Sequence, residues 1–381
     1  TVLSNNGAKV SQYDFLNFVE PKRFKGKKII NNLASRLESF FTGILDKYDA
    51  KHVHFGIQQI FRSVGFVILQ QLLTKRDIPS YMVFDTPIKG RRWVCSDIYC
   101  KNDELARQYQ AALANGLDPM QKKEIGDYYK SYISFKNNEL HNWFENLRKK
   151  KPTKSFSFKS LTRIIHGFKG KKSNRDIPSS VQRDLNTPYI LFLLPKRNHW
   201  ATSYMNPELL NQEKIITDVS SILPAGFNLV LKTHPKMSHN MKLQDLARSL
   251  TNCCFDNISK TDYLVSDAAM VVFYGTTSGV EALMHNKHVI ELGKKTLFFN
   301  FENPPVKRVH RMSELSDAID QCLQEPTPKK QIDVYFHSLL KTSSRFSDEL
   351  EKIKINKFRE ENHFEEMGHL LLEHYQTNKL V

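Results

Sequence analysis

A chain of 381 residues is long enough for two domains, each burying its own core. Its 40% hydrophobic and 25% charged residues match a soluble globular protein and exclude a disordered one, and its longest apolar runs, 65–73 and 189–194, reach at most about half of the roughly 20 residues a spanning helix needs. The net charge of +16, from 56 Lys and Arg against 40 Asp and Glu, predicts attraction to polyanions: nucleic acid, anionic lipid, phosphorylated glycolipid or nucleotide sugar.

Residues 1–50 read as polar and helical, with Ile30, Leu33, Leu37, Phe40, Phe41, Ile44 and Leu45 at helical spacing. Thr1 opens a segment without the charged head, apolar stretch and cleavage site of a secretory leader, so none is expected, and the lack of an initiating Met suggests a trimmed chain. A strand-like KHVHFG follows, then a helix over 57–73, a turn at Asp77-Ile78-Pro79 and a strand over 80–84. That alternation predicts a βαβ unit. The five cysteines, Cys95, Cys100, Cys253, Cys254 and Cys322, form an odd set without CxxC spacing, which argues against a disulfide framework or a zinc site and for a reducing cytoplasm.

A helical stretch is expected over 103–148. The composition then shifts to KKKPTKSFSFKS and GFKGKKSNRDIPSS, poor material for a packed element. The boundaries that follow are a first domain over 1–150, a basic linker over 151–185, a second domain over 186–330 and a helical tail over 331–381. Basic residues interleaved with Phe156, Phe158 and Phe168 suit a solvated linker or contact with an anionic membrane surface. In the second domain the expected strands are 189–194 (YILFLL), 228–232, 253–255, 270–274 (MVVFY) and 288–292, separated by helices over 211–223, 243–250, 261–266 and 277–285. Continuous apolar strands call for a parallel sheet covered on both faces, which places a ligand crevice at the strands' carboxyl ends. A helix over 313–323 opens on Ser313 as N-cap. The tail beyond it is helical and charged, and can return to the first domain.

Three segments sit at carboxyl ends of these strands. Lys196 and Arg197, with His199, offer cations and an imidazole to phosphate oxygens; a basic surface turn would look the same. Lys232-Thr233-His234-Pro235 ends its strand on a proline that keeps His234 out of helical geometry at the sheet's rim, where a ring N–H can donate to a phosphate and Lys232 adds a charge; a structural histidine fits equally. Gly275-Thr276-Thr277-Ser278-Gly279-Val280-Glu281 lets backbone approach an anion ahead of a helix, or is a tight turn with a capping hydroxyl. It is neither a P-loop nor GxGxxG.

YILFLLP, PELLNQEKIITDVSSILPAGFNLVLKTHP and VVFYGTTSGVEALMHNKHVIELGK, within 189–297, resemble the C-terminal domain of the bacterial capsule and surface-carbohydrate biosynthesis family, which includes capsular Kdo transferases. That family is similar here to sialyltransferases of GT-B fold, whose His-Pro and Ser/Thr motifs hold the nucleotide of a CMP-sugar. The resemblance implies two Rossmann-like domains facing a central cleft, with helices crossing back. It assigns the donor phosphate to His234 and the Ser/Thr side of the pocket to Thr276, Thr277 and Ser278, with Glu281 on the ribose or in the helix. It also implies a cytoplasmic enzyme, at the inner membrane face, that needs no metal or cofactor and moves Kdo or sialic acid from a CMP-sugar to a glycan or glycolipid acceptor. Where related sequences often carry QPExxT, this chain has His199-Trp200-Ala201-Thr202. His54, Asp85 and Asp97, near strand ends of the first domain, are the candidates for a general base. Two further readings stand beside this one: a CDP-glycerol-type polyol-phosphate transferase, and a polyanion-binding protein without catalysis. No nucleic-acid-binding motif is found, and no nucleic acid partner is expected.

Overall fold

The computed structural model describes residues 27–47, 53–55, 64–88, 90–97, 100–149, 187–196, 202, 205–234, 241–256 and 259–345, with side chains at 27–34, 53–55, 64–67 and 136–149 left aside. The expected linker over 151–185 and the tail beyond 345 lie outside these residues. The chain forms two compact units, Thr1–Leu117 with Asp184–Val381, and Asp118–Arg183.

The first sheet begins as a βαβ unit. Strand β1 (Val53–Phe55) runs parallel to β2 (Ser80–Asp85), joined by helix α2 (Val64–Lys75). Gln70 on α2 and Ser80 at the start of β2 exchange hydrogen bonds of 3.0 and 3.1 Å in a buried setting, which fixes the helix over the strand. Helix α1 (Lys27–Lys47) packs along α2, and its Asp46 accepts from Arg76 at 2.6 Å.

The sheet then turns antiparallel. Strand β3 (Arg91–Cys95) pairs with β2, and a strand from the far end of the chain, β10 (Ser343–Arg345), pairs antiparallel with β3. Neither strand is evident from RRWVC or SSR, because their pairing partners supply the signal. Arg91 ties the return: its Nε donates to the Ser343 hydroxyl at 2.8 Å and its Nη2 to the Leu340 and Ser343 carbonyls. The helix before β10, α10 (Lys329–Lys341), packs on α3 (Asp103–Asn115), so the C-terminal segment does cross back to the first sheet.

The helical stretch expected over 103–148 is two helices. Asn102 caps α3, accepting from the Leu105 N–H at 2.8 Å, and Gly116, at φ 77, ends it in a backbone conformation that favours glycine. Helix α4 (Pro119–Lys149), in the other unit, starts from a reciprocal box in which the Asp118 carboxylate accepts from the Gln121 N–H at 2.8 Å and the Gln121 side chain accepts from the Asp118 N–H at 3.0 Å.

The second sheet has the order β6-β5-β4-β7-β8-β9, every pair parallel. Its strands are β4 (Tyr189–Leu194), β5 (Asn228–Thr233), β6 (Cys253–Phe255), β7 (Met270–Phe273), β8 (His288–Leu292) and β9 (Lys307–Val309). All six residues of β4 are buried, as a central strand covered on both faces requires. One face carries Ile190, Phe192, Leu229, Leu231, Val272 and Ile290 against α5 (Gln212–Ser221), α6 (Met241–Ser249) and α9 (Leu315–Gln324). The opposite face takes α8 (Ser278–Leu283), whose Gly279 lies against the Phe273 ring. α7 (Thr261–Asp267) links β6 to β7, and the buried Tyr189 hydroxyl donates to its Leu264 carbonyl at 2.6 Å.

Candidate functional site at the sheet switch point

This strand order reverses direction between β4 and β7, and doubly wound sheets hold ligands just beyond the carboxyl ends of the strands at such a reversal. The three segments singled out from the sequence follow β4, β5 and β7. Those strands are adjacent, with Leu194 beside Thr233 and Leu193 beside Phe273. The fold therefore brings together residues spread over about 80 positions of chain.

After β4, Pro195 is buried and its carbonyl accepts from Gln212 at 2.9 Å, which pins the exit of the strand to α5. Lys196 is exposed beyond it. Arg197, His199 and Pro235 lie outside the described residues. After β5, His234 is exposed at the rim and Thr233 is buried. Lys232 is half-buried and turned toward the loop after β6: its ammonium donates to the Ser259 carbonyl at 2.5 Å. Burial pulls its pKa down to about 8, partly offset by Asp256, whose carboxylate accepts from the Ser259 N–H and hydroxyl at 2.8 and 2.7 Å. Lys232 therefore carries its charge at neutral pH, as a fixture of the β5–β6 edge.

After β7, Gly275 adopts φ 57, the left-handed conformation in which a glycine turns the strand sharply into the loop. Thr276 accepts weakly from the Ser278 N–H at 3.4 Å, and Thr277 precedes the helix without capping it through its side chain. α8 spans only Ser278–Leu283, shorter than the helix expected over 277–285. Gly279 is buried, and a Cβ there would lie 2.2 Å from Cγ of Phe273. That glycine sets how closely α8, and with it the Thr276–Ser278 loop, approaches the sheet. Glu281 is half-buried on α8.

Beside this loop lies a buried acid that sequence reasoning missed. Glu291, next to Phe273 across β7 and β8, is 4% exposed. Burial raises its carboxyl to about 7, against the opposing effects of the Thr296 hydroxyl and of Arg308, whose Nε stands 4.0 Å from Oε2. Glu291 Oε2, Arg308 Nε and the Tyr335 hydroxyl are all buried without a hydrogen-bond partner among the described residues, and burial, with Glu291 second, raises the Tyr335 phenol well above its ordinary value. A lone acid in the apolar strand HVIEL was the available sign. The loop after β8 is held by Asn206, which donates to the Lys295 carbonyl at 2.8 Å and accepts from its N–H at 3.0 Å.

The three candidates for a base belong to the first sheet, which does not gather them. His54 lies within β1 opposite Tyr81, its side chain outside the described set. Asp85 ends β2, exposed, its carboxylate accepting from Arg92 at 3.0 Å. Asp97 follows β3 at the other end of the sheet, accepting from the Lys101 N–H at 2.9 Å in a turn near Ser80. Among the described residues no group of three or more His, Cys, Asp or Glu could hold a metal ion.

No protein-family model matches the chain, and no curated protein matches it. Solved structures similar to it include the beta Kdo 2,7 transferase of KpsC from Thermosulfurimonas dismutans, at 11% identity over 70% of this chain and 72% of that one, with a TM-score of 0.36. The beta Kdo 2,4 transferase of the same KpsC gives 12%, 75%, 78% and 0.37. The UDP-GlcNAc 2-epimerase of Methanocaldococcus jannaschii, solved with UDP-GlcNAc and UDP, gives 11%, 81%, 80% and 0.33.

Proposed function

We propose that the chain is a GT-B glycosyltransferase of bacterial surface-carbohydrate synthesis that moves Kdo or sialic acid from a CMP-sugar to a glycan or glycolipid acceptor. The observation that carries this reading is the placement of Lys196, Thr233-His234 and Gly275–Ser278 on three adjacent strand ends at the switch point, in the motifs whose resemblance to that family is given above. The donor phosphate lies against His234 and the Thr276–Ser278 backbone, with Lys196 and Lys232 adding positive field and no metal required. In an inverting reaction the acceptor oxygen attacks the anomeric carbon. The bond to the nucleotide phosphate breaks, CMP leaves with the electron pair, and a carboxylate of the first sheet takes the acceptor proton. Asp85 suits this better than Asp97, because it sits at the carboxyl end of the parallel β1–β2 pair. Work at the inner face of the cytoplasmic membrane fits a glycolipid acceptor.

Calorimetric titration with CMP, CDP, UDP and GDP tests the donor site. CMP should bind most tightly, and His234→Ala should weaken it about 10- to 100-fold, the loss of a charge-assisted hydrogen bond. Binding of UDP or GDP alone would overturn the donor, and no binding of any of them would overturn the enzyme.

Lys232 adds a pH signature. Its folded pKa of about 8 lies below the ordinary 10.5, so it is charged at pH 7 and neutral at pH 9. CMP affinity should fall several-fold across that window, with bound phosphate moving the midpoint upward. Lys232→Arg, charged throughout, should abolish the fall. An unchanged profile in that variant would remove Lys232 from the site.

A further inference from the structure

Helix α1 carries an exposed apolar pair that the proposed reaction does not use. Phe40 is 59% exposed and Ile44 39%, one helical turn apart on the same face. The adjoining side of the helix does the packing: Leu45 is 4% exposed, Leu37 and Phe41 are half-buried, and the Phe40 ring meets that of Phe41 edge-on at 5.4 Å. The exposed stripe continues with Arg36, one turn before Phe40, and Lys47, nearly one turn after Ile44, both exposed. Gly43 stands between them with open space around it. The stripe thus reads cation, aromatic, aliphatic, cation, on a chain of net charge +16.

We infer that this face of α1 lies on an anionic membrane surface, Phe40 and Ile44 entering the headgroup boundary while Arg36 meets lipid phosphates. Two side chains are too little for a stable protein partner, which needs about 1,000 Å² of total buried surface with matching shape. A lipid surface demands no shape, and combines a small apolar contact with a charge attraction. Among the described residues no helix is long and apolar enough to cross a membrane, so the contact is one of lying on the surface. The inference does not depend on which sugar is moved, or on the chain being an enzyme.

The test is co-sedimentation of the full chain with vesicles of phosphatidylcholine, and of phosphatidylcholine and phosphatidylglycerol in equal parts. The chain should bind only the mixed vesicles, and less as salt rises. Phe40→Gln with Ile44→Gln should weaken binding about tenfold, and Arg36→Gln about fivefold. Met241→Gln, which removes a 72% exposed methionine elsewhere, should leave binding unchanged. Circular dichroism of each variant checks that the fold is kept. Failure to bind the mixed vesicles would overturn the inference, as would binding indifferent to the Phe40 and Ile44 changes. So would a dimer in solution that those two changes dissolve, since the stripe would then belong to a second copy. CMP titration of the same variants should be unaltered, which separates this surface from the donor site.

Discussion

Gly279→Ala should destabilise the chain by about 3 kcal/mol, the upper end of what one added methyl costs in a packed core. The new Cβ would fall 2.2 Å from Cγ and 2.4 Å from both Cδ atoms of Phe273. Phe273 cannot yield, because it is fully buried at the carboxyl end of β7, a parallel strand held between β4 and β8. The helix must move instead, and it carries the Thr276–Ser278 loop with it. Loss of stability should therefore come with weaker nucleotide binding, read by denaturant unfolding and titration on the same samples. The same substitution at Gly43 has open space around it and lies inside a helix, so there it should stabilise by about 0.5–1 kcal/mol. Phe273→Ala, which removes those three atoms, should make the double variant lose less stability than the sum of the two single losses. Wild-type stability in Gly279→Ala would mean that α8 does not rest on β7 as described.

Glu291→Gln should leave stability unchanged near pH 4.5 and raise it by about 3 kcal/mol at pH 8. The folded carboxyl holds its proton up to about 7, whereas in the unfolded chain it ionises near its ordinary 4.5. Between these values the folded state binds more protons than the unfolded one, so the contribution of Glu291 to stability falls as pH rises, and above about 7 its burial as a charge is a fixed penalty. Glutamine has the shape of the protonated acid and never ionises, so the difference between variant and wild type isolates this group from all other titrations. Chemical denaturation across that pH range measures it. A variant less stable than wild type at pH 8 would show Glu291 working as a charged partner of Arg308, 4.0 Å away.

Much of the second sheet is legible along the chain. YILFLL and MVVF are strands because runs without a polar residue can be buried on both faces only in a covered parallel sheet, and the helices between them follow from their spacing. The candidate donor residues were legible for the same reason: once the strands are known, their carboxyl ends are known. Other features were hidden. RRWVC looks too charged for a strand until Arg91 finds Ser343, 252 residues on, and Arg92 finds Asp85. HVIEL shows Glu291 as a lone acid in an apolar strand but not how far its carboxyl is raised, since that shift is made by the side chains that exclude water from it.

The sequence by itself therefore determined β4 to β8 and the helices that join them, and the strand ends where a crevice is to be expected, because hydrophobic periodicity and turn chemistry are local properties, whereas β9 was not legible in it. Only the tertiary structure decided the order β6-β5-β4-β7-β8-β9 and the switch point within it, the return of β10 to the first sheet, and the separation of Asp85 from Asp97. Pairing over long stretches of chain, and the loss of water around a buried charge, depend on which surfaces meet, and no single segment carries that information.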